Sequence, residues 1–259
     1  MTEHLGFAAM LAWLLDHREL GVRDLADRAG STVDEVRAVL AGETPGEGLL
    51  RRFAAALGFR AVDLFILAGL VVPDDTAPLD AAAGRWVPHI VMDAAHLPAA
   101  GRRELLQIVR ALPQEERRTR FAPKQLAPLA DGPGDRVIRM FRYRNLDWTG
   151  MAKTLAVVTP TYLSAATYGV IGAGRKDLTP RLVTHCAALL GIDATELAAL
   201  TGVRPDAVPP PAAAEAVDAA ALLWELRRLS ATQTRHASEL ARSMRGDSHD
   251  GYLVNLPGP

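Results

Sequence analysis

Residues 25–70 read LADRAGSTVDEVRAVLAGETPGEGLLRRFAAALGFRAVDLFILAGL, and residues 151–203 repeat the pattern as MAKTLAVVTPTYLSAATYGVIGAGRKDLTPRLVTHCAALLGIDATELAALTGV. With Gly58 set over Gly191, Leu57 meets Leu190, Ala61 meets Ala194 and Asp63 meets Glu196. At the same offset of 133, Leu64 meets Leu197, Leu67 meets Leu200 and Gly69 meets Gly202. Further back Ala41-Gly42 falls on Ala173-Gly174, and Leu25-Ala26 on Met151-Ala152. A repeat of this length decides the architecture before any single residue does. It predicts two copies of one small helical unit.

Composition agrees with helix. Apolar residues make up 49% of the 259 and aromatics only 5%, so Ala and Leu carry the core. The length suits about two domains. A formal charge of −1 gives no global attraction to nucleic acid or to a membrane surface. One cysteine, Cys186, rules out an internal disulfide and fits a reducing compartment. No apolar run approaches the ~20 residues of a transmembrane helix. The N-terminal MTEHLGFAAMLAWLLDH lacks the basic start of a signal peptide. The expectation is a soluble cytoplasmic helical protein.

Within the first copy the periodicity predicts five helices. Phe7, Leu11, Leu14 and Leu15 recur at the spacing of one buried face. Val22 to Arg28 is a short second helix, broken at Ala29-Gly30. Ser31 or Thr32 caps a third, with Asp34 and Glu35 in the first turn, where the helix dipole favours negative charge. Gly46 to Leu57 and Ala61 to Leu70 follow. Two short helices joined at a glycine-containing turn inside a five-helix bundle form a helix-turn-helix.

The spacing LADRAG-STVDEVRAVLAG followed by LLRRFAAALG resembles the Cro/repressor-type (XRE) helix-turn-helix family, over roughly 7–70 and again over roughly 135–203. The resemblance implies that the third helix enters the DNA major groove and the start of the second touches the backbone. It places Thr32, Val33, Asp34 and Arg37 towards bases, and Arg23 and Arg51 beside phosphates. The first copy departs from the family where Val22 replaces a common Gln and Leu40 a common Glu. Residues 1–72 hold 7 Lys+Arg against 10 Asp+Glu, a poor balance for a phosphate backbone.

In the second copy, Arg136, Arg139, Arg142 and Arg144 are expected to stay in water, and Thr149 to cap the second helix. Six extra residues across VVTPTY lengthen the turn, and Pro160 ends the helix before it. The third helix is expected over Tyr162–Ile171, with Tyr162, Ser164, Thr167 and Tyr168 as its polar set and Arg175 and Lys176 immediately after. Hydroxyls suit groove contacts and cations suit phosphates. Gly169 and Gly172 permit close approach. Residues 101–150 hold 11 Lys+Arg against 6 Asp+Glu, which places an anionic partner nearer the middle of the chain. The second copy is the one expected to contact DNA.

The expected organisation is therefore all-α. Two five-helix helix-turn-helix domains, 1–72 and 135–203, flank a linker over 73–134 that carries an amphipathic helix at 101–112. A Pro-rich hinge at 204–214, a C-terminal amphipathic helix at 215–245 and a flexible tail at 246–259 complete it. Double-stranded DNA is the expected partner, with homodimer contacts through 101–112 or 215–245, and no membrane. His89, Asp93 and His96 share a helical face without a fourth ligand, and packing accounts for them better than metal does. GVIGAGRK lacks a preceding strand and a GK[ST] ending, so it is no phosphate loop. No catalytic set, cofactor or metal site stands out. A DNA-binding transcriptional regulator is the leading reading; a protein-interaction regulator that keeps the fold without reading DNA is the alternative.

Overall fold

The computed structural model describes residues 6–122, 132–204 and 207–253. Every regular element among them is helical. In chain order these are α1 (Phe7–His17), α2 (Val22–Ala29), α3 (Val33–Leu40), α4 (Glu47–Ala56) and α5 (Ala61–Leu67). A 3-10 turn (Ala81–Arg85), α6 (Val87–Ala95) and α7 (Ala99–Ala111) follow. Then come α8 (Pro133–Arg142), α9 (Trp148–Val158), α10 (Ala165–Gly172), α11 (Pro180–Leu190) and α12 (Ala194–Leu200). The chain closes with α13 (Ala214–Leu226) and α14 (Ala231–Leu253). No single helix among the described residues is long and apolar enough to cross a membrane.

Local chemistry sets the helix boundaries. Thr32 Oγ1 accepts from Glu35 N while the Glu35 carboxylate accepts from Thr32 N, a reciprocal cap that starts α3. Ser164 caps α10, and Thr179 caps α11 ahead of Pro180 at its first position. Gly58 and Gly191 sit just past α4 and α11 at φ 66° and 68°, a backbone region only glycine enters cheaply. The six-residue insertion is divided. α9 has 11 residues against 8 in α2, and the turn after it is longer by the remaining three. Thr159, before Pro160, is extended at φ −141° and ends α9 there.

The two copies pack reciprocally. The fifth helix of each meets the first helix of the other, α5 on α8 and α12 on α1. The polar joints repeat the exchange. Arg18, just past α1, pairs with Glu196 of α12 at 2.5 Å and donates to Leu57 O at 2.6 Å. Arg144, just past α8, grips Asp63 of α5 and donates to Leu190 O at 3.0 Å. Asp63 and Glu196 are repeat equivalents, as are Leu57 and Leu190. Glu19 and Asn145, the next residues along, are the two non-glycine residues with positive φ among those described, at 52° and 58°. Arg136 Nη1 lies 3.6 Å from Met10 Sδ, and these two positions correspond across the copies.

The arginines of 136–144 are therefore not in water as their spacing led one to expect. Arg136, Arg142 and Arg144 are buried, and Arg139 is half-buried and pairs with Asp135 at 2.8 Å. α8 is packed against α5, α10 and α11, so most of its polar positions meet protein.

The segment expected as a linker is structural. α6 lies at the centre and packs against α7, α9, α13 and α14, with Val87, Ile90 and Val91 fully buried. Residues 76–79 are buried in a turn and bend outside any helix. Arg117 supplies the donors that a helix would have supplied there, to Ala77 O, Pro78 O and Leu79 O. Asp80 accepts from Ala82 N and from Ala231 N, and so starts both the 3-10 turn and α14. The apolar stripes proposed for a homodimer are covered within the chain, because α7 packs on α13. Arg102, on the amphipathic helix α7, is buried and pairs with Asp218 at 2.6 Å and Glu215 at 3.3 Å. The tail expected from 246 continues as helix to Leu253; 123–131 of the connector, 205–206 of the hinge and 254–259 lie outside the described residues.

One apolar core runs from α1 to α14 through both copies and the middle helices. Trp224 stands where they join, with the guanidinium groups of Arg227, Arg60 and Arg144 over its ring at 3.6, 4.4 and 5.7 Å.

Candidate nucleic-acid interface

The second copy carries an outward edge centred on α10. Tyr162, two residues before the cap, is 81% exposed. Ser164 is exposed and spends its hydroxyl on the cap, accepting from Thr167 N at 3.3 Å with Thr167 Oγ1 at 3.1 Å. Thr167 is half-buried. Arg175 and Lys176 follow α10 by one turn and are exposed, with no carboxylate against either among the described residues. At the opposite end Arg181, in the first turn of α11, is exposed and reaches Pro160 O at 3.0 Å, two residues before Tyr162. Lys153 is exposed on α9, which packs against α10. Cations thus bracket α10 at both ends, beside a row of hydroxyls.

Four expectations for this copy are corrected. Tyr168 is fully buried; burial raises its hydroxyl well above the usual phenol range, and that hydroxyl has no hydrogen-bond partner among the described residues. The side chain lies one helical step from Thr167 and turns into the core with Ile171. Thr149 does not cap α9. Asp147 does, accepting from Gly150 N at 2.7 Å, and Thr149 is exposed on the first turn. Gly169 and Gly172 admit protein, not a ligand. A Cβ at Gly169 would stand 2.8 Å from the Trp148 ring, and one at Gly172 3.3 Å from Ile138. The helix itself begins at Ala165, since Ser164 holds the extended backbone of a cap.

The equivalent edge of the first copy is closed on itself. Thr32 is engaged in its capping box. Arg37 pairs with Asp34 at 3.5 Å, both exposed on α3. Arg51 is held by Glu47 and Asp75, each at 2.8 Å, and these carboxylates raise its affinity for its proton. The Glu35 carboxyl sits below its usual range through hydrogen bonds from Thr32, with Arg52 adding to the effect. Val33 is half-buried against the core, and Arg23 is exposed. Apart from Arg23, the cations assigned here to DNA already have anions.

Sequence reasoning passed over Lys153 and Arg181. The repeat alignment holds the signal. Lys153 takes the place of Asp27, Arg175 that of Glu43, and Arg181 that of Gly48. At each of these outward positions the second copy is more positive than the first. Most of the described arginines of 101–150 are engaged within the chain, while Arg103 and Arg118 are exposed. Arg102, Arg110, Arg120, Arg139 and Arg144 all face carboxylates, and Arg117 faces carbonyls.

Of the histidine–aspartate set, Asp93 pairs with Arg245 at 2.9 Å and His96 Nδ1 lies 2.7 Å from Met92 O. No three metal-ligating side chains gather among the described residues. No family model, curated protein or solved structure matches the chain.

Proposed function

We propose that the chain is a DNA-binding regulator whose second copy meets duplex DNA through α10 and its flanking cations. The observation that carries this reading is the change of sign between equivalent edges. The second copy offers Lys153, Arg175, Lys176 and Arg181, where the first offers Asp27, Glu43 and paired arginines. Phosphate neutralisation supplies most non-specific affinity, so only the second edge suits a duplex. Tyr162, Ser164 and Thr167 then meet base edges or sugars, and the cations position the protein.

Four phosphate contacts correspond to a slope of log affinity against log salt of about −3 to −4. The test is that slope, measured by fluorescence anisotropy on a labelled duplex of random sequence. Replacing Arg175 and Lys176 together by Ala should remove about 2 from it. A slope near zero, or one indifferent to the double substitution, refutes the reading. A second reading, a regulator that binds protein and not DNA, has in its favour that α10 itself carries no cation. It expects no duplex binding at all.

A further inference from the structure

The joint between the two copies has the form of a two-fold dimer contact. In such a contact residue i of one subunit meets j of the other, and j meets i. Here Arg18 meets Glu196 while Arg144 meets Asp63, and each arginine also donates to the carbonyl that ends the fourth helix of its own copy. Met10 and Arg136 occupy the same place in the two copies and touch each other, as residues beside a two-fold axis do. Helix-turn-helix proteins ordinarily place two such units on two half-sites by pairing identical chains. In this chain the pairing is already complete internally, and the α7 and α13 stripes are spent on one another.

The two edges related by this local symmetry are not equivalent. One bears Lys153, Arg175, Lys176 and Arg181; the other bears exposed Asp27 and Glu43 in place of Lys153 and Arg175, beside Asp34 and Glu35, which already face Arg37 and Arg52. Carboxylates at these positions repel a phosphate backbone over the distance of a Debye length, about 8 Å at physiological salt.

We infer that one chain, with no second copy, binds a single asymmetric stretch of duplex of about one helical turn, its first copy standing where a partner subunit would stand. This rests on the reading of α10 given above. The second copy reads, and the first braces α8 and α12 through the paired arginines while adding no half-site. A palindrome is of no use to such a molecule.

The test is the mass of the free protein and of its complex, by sedimentation velocity, on duplexes selected from a random pool by the full chain. The free chain should sediment as 27.8 kDa and the complex as one chain per duplex. The selected sequence should lack inverted symmetry. A duplex carrying that sequence as an inverted repeat should bind the first chain less than about twofold tighter than a single copy, the statistical gain alone. Cooperative binding of two chains on the inverted repeat, beyond that statistical gain, or a free dimer, overturns the inference while leaving the reading of α10 in place. Failure to retain any duplex overturns both.

Discussion

The Arg144 guanidinium holds both carboxylate oxygens of Asp63, at 2.8 and 2.7 Å, with the two side chains 1% and 0% exposed. Two further bonds, to Met140 O and Leu190 O, occupy the remaining donors on its terminal nitrogens. A buried pair stripped of one member leaves a bare charge, so Arg144→Met or Asp63→Leu alone should cost about 3–5 kcal/mol. The double substitution should recover much of that loss. The equivalent pair, Arg18 with Glu196, keeps 27% of the arginine in water, and Arg18→Met should cost less, about 1.5–3 kcal/mol. Urea titrations of the four variants check the order; equal losses at the two joints would refute it.

Glu19 and Asn145 share a left-handed backbone at φ 52° and 58°, yet only one has a reason to be other than glycine. Asn145 Nδ2 donates to Asp80 O at 3.0 Å, while Glu19 is exposed with no such bond. Glu19→Gly should therefore stabilise the fold by up to about 1 kcal/mol, the left-handed penalty less the entropy glycine loses. Asn145→Gly should bring no gain. Thermal midpoints of the two variants decide between them.

Tyr168 and Gly169 are neighbours on the inner face of α10. The Tyr168 hydroxyl is buried without a partner, so Tyr168→Phe should hold or raise stability by about 1 kcal/mol and leave DNA affinity unchanged. Gly169→Ala forces a methyl to 2.8 Å from the Trp148 ring and should cost about 1–3 kcal/mol. Denaturation and anisotropy on the same two proteins check both statements. A loss of DNA binding in a fully folded Tyr168→Phe would show the ring faces outward.

His185 on α11 faces Thr161 in the long turn, and its imidazole is held below the ordinary 6.5 by burial, with Arg181 adding repulsion. The unfolded chain takes up a proton that the folded chain refuses. Stability is thus full above about pH 6.5 and declines as pH falls from there to the lowered folded value. His185→Gln should flatten that part of the pH profile of the urea midpoint. An unchanged slope would mean the imidazole is free to charge in the fold.

The elements were legible because their signals are local. The cap at Thr32 and the glycines at 58 and 191 mark helix ends within a few residues, and the repeat reinforces the glycine marks. The middle of the chain was not legible, because its order is imposed from elsewhere. Nothing near Pro78 says that Arg117 will satisfy its carbonyl, and nothing near Arg102 says that Asp218 will lie against it. Arg144 misled for the same reason. Its partner is 81 residues earlier in the sequence, and the amphipathic pattern of α8 alone assigns it to water. At the site, Tyr162, Ser164, Arg175 and Lys176 were readable as outward, while Tyr168 fell to a helix start placed three residues early.

Site-directed cleavage of DNA tests the central claim most directly. Burial pushes the native Cys186 thiol up to about 12, so a thiol-linked iron chelate will attach to an introduced cysteine and not to it. With the chelate at Tyr162→Cys, a bound duplex should be cut at one position on each strand; with it at Asp34→Cys, on the equivalent edge of the first copy, no localised cuts should appear. Cutting from residue 34 as strong as from residue 162, or none from either on a duplex that is demonstrably bound, would contradict the assignment of DNA contact to α10.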